Sequence, residues 1–380
     1  MSAVGDLMIR AVTGRRGVRD WLAVQPLVFR DDPAWIRPLD LVERQRIDRR
    51  RNPFFNFGEA ELFIAYRDGI PVGRISAHVN RRHIERHQDA TGHFGFFDCI
   101  DDIDVARALF ERARSWLRDR GLARMIGPVS FSINEDLGLL IDGFDTKPAI
   151  MCSHAPPYAG RLVEQCGLSK EVDLYAYRVD PDVAQKLTQR IAKLAVAAGQ
   201  VRVRHLNLSD FKAESRIIFD IYNDGWRDNW GFVPFDETEI AALGREMKPL
   251  MRSKYGRIIE IDGRPVAMVV ALPDINRVIA PFRGRLLPFN WARMLTAIRR
   301  DRWTTARVAL MGIRKEYRGT PLAMGLLSLM ISEIHKLQHE YALDWMEFSW
   351  ILENNQPMVK LGSYIAGPPR RIYRVYAADL

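Results

Sequence analysis

A short pattern that predicts a β-hairpin occurs twice in this chain of 380 residues, once in each half. In both copies, two apolar strand-like runs are separated by an aspartate and a glycine, at Asp68-Gly69 and at Asp262-Gly263. Asp-Gly between such runs is among the strongest short-range signals for a two-residue hairpin turn. Two similar hairpins about half a chain apart predict two related domains.

Other elements recur in the same order after each hairpin. A long helical stretch comes first, and a tyrosine-containing strand closes each half. The helical stretches are 104–120 and 321–341, and the closing strands are 174–179 and 372–376. Repetition of several elements in one order indicates a duplicated unit. We therefore expect an α+β protein with domains at 1–180 and 181–380, joined by a helix over 182–198.

The composition is that of a globular protein with an excess of positive charge. Lys plus Arg number 56 against 47 acidic residues, a formal net charge of +9. Such an excess attracts nucleic acid, anionic lipid or coenzyme phosphates, or is ordinary solvated surface.

Three scattered cysteines without a Cys-x-x-Cys pair predict neither a disulfide framework nor a zinc site. With no secretory signal and no apolar run of about 18 residues, we expect a cytoplasmic protein.

A candidate phosphate-binding turn lies in the second half, between an apolar strand at 306–313 and the helical stretch. Gly319 allows a tight turn, Thr320 is a favoured N-cap residue, and Pro321 is tolerated at the first helical position. Unpaired N–H groups and the positive end of a helix dipole bind phosphate there. The predicted contacts are Ile313, Arg314, Arg318, Gly319, Thr320, Leu322 and Ala323. An ordinary capped helix would show the same pattern.

The segment from Arg318 to Ala323 resembles the coenzyme A-binding turn of the GNAT acyltransferase superfamily. The usual pattern there is Arg/Gln-x-x-Gly-x-Gly/Ala, and Pro321 stands at the central glycine, where it offers no N–H. The resemblance implies GNAT-like domains in tandem, each with a mixed central sheet flanked by helices, and acyl-coenzyme A as co-substrate rather than a permanent cofactor. It also implies two strands that splay to admit the pantetheine arm, with Asn354 and Asn355 following the second strand.

The first half lacks an equivalent turn. At the corresponding place stands an acidic segment, residues 98–104, which would repel a pyrophosphate. We expect this half to be a degenerate copy that has a structural role or forms a wall of the acceptor site.

Longer motifs at 127–145, 226–234 and 284–291 resemble those of the bacterial ceramide synthases. The resemblance implies transfer of a fatty acyl group from acyl-coenzyme A to the amine of a sphingoid long-chain base. One alternative is a tandem-GNAT transferase that moves amino acids from aminoacyl-tRNA to cell-wall peptides. Another is a non-catalytic lipid- or nucleic-acid-binding protein, which Pro321 favours.

Amide formation from a thioester requires a base for the amine, an oxyanion donor and a proton for the thiolate. In GNAT enzymes a backbone N–H of the coenzyme strand is the oxyanion donor, which implies 310–313 here. Candidate bases are Glu347, Glu353 and Glu135 with its neighbour Asp136, although such acids are often only solvated or paired. Tyr364 is a candidate acid, with core packing as the alternative.

Aromatic and amide side chains at 222–230 lie where GNAT folds line the acceptor pocket. The candidate substrate-binding residues are Tyr222, Trp226, Asn229 and Trp230. The alternative is that their rings only cover the core.

His83 and His87 suggest a metal site but lack the His-Glu-x-x-His order, so we expect no bound metal.

An insert at 276–303 contains a predicted amphipathic helix from 288 onward. Its apolar face holds Trp291, Met294, Leu295 and Ile298, which fall at helical spacing. Arg293, Arg299 and Arg300 surround that face. This pattern is typical of peripheral binding to an anionic membrane surface, here the inner face of the cytoplasmic membrane, and we expect no nucleic acid partner. The alternative is a helix packed on its own domain.

Overall fold

The computed structural model describes residues 6–180 and 201–380. The strands are β1 (Leu7–Ala11), β2 (Gly58–Arg67), β3 (Ile70–Asn80), β4 (Thr91–Cys99), β5 (Arg124–Gly127), β6 (Leu139–Asp142), β7 (Ser169–Val179), β8 (Val201–His205), β9 (Gly256–Ile261), β10 (Arg264–Pro273), β11 (Thr305–Ile313), β12 (Trp345–Leu352) and β13 (Arg371–Asp379). The helices are α1 (Gly14–Val28), α2 (Asp40–Arg46), α3 (Arg81–His87), α4 (Ile103–Arg118), α5 (Ala159–Gln165), α6 (Phe211–Trp226), α7 (Glu237–Met247), α8 (Asn276–Ile279), α9 (Asn290–Arg300), α10 (Pro321–Glu340) and α11 (Gln356–Ala366).

Two compact units divide the chain. The first consists of Met1–Tyr175, Asn276–Trp291 and Arg371–Leu380, and the second of Ala176–Ile275 and Ala292–Arg370. This division differs from a boundary at 180/181, because part of the insert and the last strand join the first unit. The predicted linking helix over 182–198 lies outside the described residues.

The first unit contains a mixed sheet in the order β1-β2-β3-β4-β5-β13, with β6 also paired to β13. The β4–β5 pair is parallel, and the other pairs are antiparallel. Helices α1 and α4 pack against the sheet through fully buried side chains such as Trp21, Leu109 and Phe110. The C-terminal strand belongs here because Tyr376 pairs with Gly127 across the β13–β5 ladder.

The second unit contains the order β8-β9-β10-β11-β12, antiparallel except for the parallel β11–β12 pair. Helix α10 is buried over most of its length, with Leu326, Met330 and Ile334 each at most 2% exposed. An apolar helix of this kind is stabilised by packing rather than by its own propensity.

Both predicted hairpins are confirmed, and their turns have matching backbone geometry. Asp68 and Gly69 have φ values of 51° and 77°, and Asp262 and Gly263 repeat those two values. Positive φ at both central residues defines the hairpin turn that Asp-Gly favours. The predicted α+β class, with mixed sheets flanked by helices, is confirmed as well. No helix in the two described ranges is both long and apolar enough to cross a bilayer.

Candidate active site

Strands β11 and β12 run together for only a short distance and then part. They pair from Thr305 with Trp345 to Val308 with Phe348, although β11 continues to Ile313. On its other edge β11 carries a bulge, because consecutive partners on β10 skip Ala309. Bulges bend a strand and re-aim its groups. The backbone of β11 beyond Val308 is therefore not paired with β12.

Helix α6 packs closely on this part of β11. The indole Nε1 of Trp226 donates to the carbonyl oxygen of Met311 at 3.2 Å. One residue earlier, a Cβ on Gly225 would lie 2.8 Å from the carbonyl oxygen of Ile313. Only glycine permits so close an approach between helix and strand backbones.

We expect Gly225→Ala to move α6 away from β11, because the added methyl group collides with backbone that cannot rotate aside. Overpacking of this kind costs roughly 1–3 kcal/mol of unfolding free energy. Urea unfolding measures it, and Gly263→Ala, which has open space around its Cβ but a positive φ, separates backbone strain from collision. Equal stability of Gly225→Ala and the unmodified protein would contradict this account.

The turn after β11 leaves amide groups available at the start of α10. Among the described residues, the N–H groups of Gly319 and Leu322 have no hydrogen-bond acceptor. Thr320 occupies the predicted N-cap position, but its hydroxyl donates to the carbonyl oxygen of Tyr317 at 2.6 Å and does not cap the helix. Gly319 has a φ of 72°, which the turn requires. These features suit an anion at the helix N-terminus.

Much of the positive charge near this turn is already paired. Arg314 forms an ion pair with Asp220, and Lys315 Nζ lies 2.9 Å from a carboxylate oxygen of Asp228. A hydrogen bond from Lys315 lowers the pKa of Asp228. Arg318 is exposed and has no ion pair in the part of the chain that the structure describes. Arg318 is therefore the cation most available to a phosphate.

A buried polar cluster lies where β11 and β12 part. Glu347, 5% exposed, accepts a hydrogen bond from the hydroxyl of Ser349 at 2.8 Å. The same Ser349 oxygen accepts from Nε of Arg307 at 2.9 Å, and the Arg307 guanidinium lies over the Trp350 ring. Arg307 and Glu347 are direct partners in the β11–β12 ladder. Two buried polar residues, Ser349 and Arg307, are thus ordered beside the Glu347 carboxylate.

Glu347 was a candidate from the sequence, whereas Arg307 and Ser349 were not predicted. The sequence marks both as unusual, because they are polar residues inside two apolar strands and a buried charge requires partners. The partnership itself joins strands some forty residues apart, and no local pattern indicates it.

The other proton-transfer candidates have different surroundings. Glu353 is half-buried in the turn after β12, and Asn354 beside it is exposed. Asn355 occupies the N-cap position of α11 but its side chain does not cap the helix. Tyr364 on α11 is 66% exposed, so the alternative of core packing is wrong for it.

Glu135 and Asp136 belong to the first unit and lie 3.4 and 2.8 Å from guanidinium nitrogens of Arg46. Arg46 also lies 3.3 Å from the buried Glu43 and above the Phe96 ring. The two acids therefore take part in an ion-pair network within that unit.

The candidate substrate-binding residues divide between core and surface. Tyr222 is buried and stacked on Trp226, with ring centroids 4.9 Å apart, and burial raises its pKa. Trp226, Asn229 and Trp230 are half-buried. Tyr222 therefore supports Trp226 from within the core, while the other three reach the surface of the second unit.

In the first unit, the helix that follows β4 has its N-terminus occupied. The carboxylate of Asp102 accepts from the N–H groups of Asp104 and Val105 at 3.0 and 3.3 Å, and it pairs with Arg67. A side chain already neutralises the amides that would meet a phosphate. The predicted acidic segment thus caps its own helix.

Four histidine rings cluster in the first unit. His83 lies 4.4 Å from His87 and 4.7 Å from His93 between ring centroids, and His78 lies 5.4 Å from His93. Across 6–180 and 201–380, no group of three or more His, Cys, Asp or Glu residues is arranged to hold a metal ion.

The two units, each with a mixed sheet, and the splayed strands above a glycine turn define a tandem GNAT protein. Among solved structures, the chain resembles a tandem GNAT protein from the clavulanic acid biosynthesis pathway, with TM-score 0.55, 12% identity and 98% of both chains covered. It also resembles a GCN5-related N-acetyltransferase from Sphaerobacter thermophilus, with TM-score 0.52, 10% identity and coverage of 98% and 95%. These likenesses show the fold.

Sequence relatives give the family. The chain is 37% identical over 379 residues to Protein YghO of Escherichia coli (strain K12), covering 98% of this chain and 95% of that one. It is 35% identical over 387 residues to the bacterial ceramide synthase of Caulobacter vibrioides (strain NA1000 / CB15N), covering 100% and 99%. No family model matches. The chain belongs to the tandem-GNAT N-acyltransferase family that includes this bacterial ceramide synthase.

Proposed function

We propose that the protein transfers a fatty acyl group from acyl-coenzyme A to the amine of a sphingoid long-chain base and so forms a ceramide. The observation that carries the proposal is the buried carboxylate of Glu347 at the point where β11 and β12 part. The full-length relationship to a protein named bacterial ceramide synthase supports the choice of acceptor.

The donor would bind along the free edge of β11. The N–H groups of Gly319 and Leu322 and the guanidinium of Arg318 would hold the pyrophosphate, with Thr320 and Ala323 shaping the turn. Arg314, held by Asp220, would keep the end of β11 in place beside Ile313. Asn354 and Asn355 would contact the pantetheine arm from the β12 side.

The chemistry requires three groups in the chain. Glu347 would take a proton from the ammonium of the base, so that the neutral amine attacks the thioester carbonyl carbon. A backbone N–H within 310–313 would stabilise the oxyanion of the tetrahedral intermediate. When the C–S bond breaks, Tyr364 would give its proton to the departing thiolate. The second proton that the attacking nitrogen loses would return to the Tyr364 phenolate through solvent, and Glu347 would release its own proton to solvent. Arg307 and Ser349 would orient the Glu347 carboxylate without touching the substrate.

The acceptor would approach through the loop that follows α6. Asn223 holds that loop, because its side-chain amide exchanges two hydrogen bonds of 3.0 Å with the backbone of Phe235. The rings of Trp226 and Trp230 would contact the alkyl chain of the base, and Asn229 would meet its polar head.

A second candidate function is lipid binding without catalysis. It is favoured by Pro321, which offers no N–H to the pyrophosphate, and by the pairing of Arg314 and Lys315 with aspartates. Both features weaken the attraction of the turn for a coenzyme. The two functions differ in whether acyl-coenzyme A is consumed.

The deciding experiment incubates the purified protein in detergent with palmitoyl-coenzyme A and either sphinganine or 3-ketosphinganine. Thiol release and amide product are followed together. We expect thiol release that depends on the base, with an N-acyl product identified by mass spectrometry. Coenzyme binding without turnover would show that a sphingoid base is not the acceptor. Lipid binding without coenzyme binding would favour the second function. Turnover that requires aminoacyl-tRNA would show that the donor is aminoacyl-tRNA and not acyl-coenzyme A.

A further inference from the structure

Three strongly exposed apolar side chains of the first unit come from one short segment. Leu287 is 74% exposed, Phe289 is 75% exposed and Trp291 is 50% exposed. Single exposed apolar residues are common, but a contiguous group of them marks an interaction site. The predicted amphipathic helix begins only at Asn290, so Leu287 and Phe289 project from the loop that precedes it.

A second segment of the first unit adds to this surface. The N–H of Asp40 donates to the carbonyl oxygen of Gly284 at 2.9 Å, which brings the start of α2 against the loop. The next two residues of α2, Leu41 and Val42, are 51% and 44% exposed. We name the group formed by Leu41, Val42, Leu287, Phe289 and Trp291 the docking patch.

Three donor groups of the loop region bond to carbonyl oxygens within the loop. Trp291 donates its backbone N–H to Leu286 and its indole Nε1 to Pro288, at 2.9 and 3.0 Å. Asn290 donates its side-chain amide to the carbonyl oxygen of Arg285 at 2.8 Å. Backbone groups that are bonded internally cost less to move from water into an apolar phase. These bonds lower the cost of bringing the loop to the headgroup level of a bilayer, where water remains for its other polar groups.

The patch has a rim of positive charge. The segment 276–291, which belongs to the first unit, contains three arginines and no acidic residue. The exposed arginines of the first unit on or beside the patch are Arg44, Arg283 and Arg285. The acids of α2 do not offset them, since Asp40 pairs with Arg37 and Glu43 is buried.

We propose that the docking patch seats the protein on membranes that contain anionic lipid, with Leu287 and Phe289 inserted at the level of the headgroups. Apolar tips edged by arginine match such a surface in both hydrophobicity and charge. Nucleic acid would use the arginines and stack on the rings, but it offers nothing to the aliphatic Leu41, Val42 and Leu287. The proposal rests on the proposed function only in that a long-chain base resides in a bilayer.

Vesicle binding tests this without turnover. The full chain is sedimented with vesicles of phosphatidylcholine alone and with about 30% phosphatidylglycerol added. We expect binding to the anionic vesicles only, weakened at about 0.5 M salt. The double variant Leu287→Ser/Phe289→Ser should bind roughly tenfold more weakly, because it loses the inserted side chains. Ile70→Ser is the matched control, since Ile70 is 57% exposed on the β3 hairpin, outside the patch.

Several results would overturn the proposal. They are no binding to anionic vesicles, equal binding by the double variant and the unmodified protein, and equal losses in the double variant and Ile70→Ser. Binding to a labelled oligonucleotide in place of vesicles would also overturn it. Turnover in detergent separates the two proposals: vesicle binding without acylation rejects the proposed function alone, and acylation without vesicle binding rejects the docking patch alone.

Discussion

Glu347→Gln is expected to lower kcat for base-dependent amide formation by roughly 10²–10⁴-fold. Glutamine has nearly the same shape and can still accept the hydrogen bond from Ser349, so the buried cluster should persist. It cannot take a proton from the ammonium of the acceptor. The measurement is kcat and KM for both substrates in detergent, together with urea unfolding to show that the fold is kept.

The control for this variant is Glu353→Gln, on the turn that follows the same strand. We expect it to change kcat by less than about threefold, since a half-buried acid in a turn is more often solvated than catalytic. The reverse result, an active Glu347→Gln and an inactive Glu353→Gln, would move the base to Glu353.

Ser349→Ala tests whether Ser349 positions the Glu347 carboxylate. We expect a lower kcat with an unchanged KM for acyl-coenzyme A, because the carboxylate loses its orientation while the donor site is intact. A purely structural role of Ser349 would lower stability and leave kcat of the folded fraction unchanged.

Acidification is expected to destabilise the first unit strongly between pH 6.5 and about pH 4. Burial lowers the pKa of His78 to about 3 and that of His93 well below its ordinary value. Burial and the neighbouring His87 lower the pKa of His83 to about 4, against the opposing effect of Asp89. The oxygen of Asp89 lies 3.6 Å from His83 and is the charged group that favours its imidazolium form.

The direction follows from proton binding. Well above pH 6.5 these histidines are neutral in both states and contribute no pH dependence. Below it, the unfolded chain binds protons that the folded protein excludes, so the free energy of unfolding falls as the pH falls. Each histidine contributes up to about 1.4 kcal/mol per pH unit until its folded pKa is reached. Three together can remove a large fraction of a typical stability of about 5–15 kcal/mol.

Urea unfolding at pH 7, 6 and 5 measures this effect. His78→Phe should reduce the slope with pH by about a third, because phenylalanine fits among the neighbouring Phe54 and Phe131 rings and does not titrate. His205→Gln is the control, since His205 is exposed on β8 and should leave the slope unchanged. A stability that is equal at pH 7 and pH 5 would contradict the depressed pKa values.

The sequence by itself determined the features that depend on neighbouring residues. Asp68-Gly69 and Asp262-Gly263 specify hairpin turns because few residues other than glycine, aspartate and asparagine accept a positive φ. The helix that begins at Pro321 and the glycine turn before it follow from the backbone preferences of proline and glycine and from side-chain periodicity. The duplication is a property of order along the chain and needs no coordinates.

Only the tertiary structure decided which distant segments meet. It assigned β13 to the first unit, and it joined Arg307 to Ser349 across two strands. It also placed Asp220 beside Arg314, and α2 beside the loop at Gly284. Contacts between distant segments are selected by burial and by partners for charges, which depend on how whole elements pack. A local pattern can mark such residues as unusual, but it does not identify the residues that they contact.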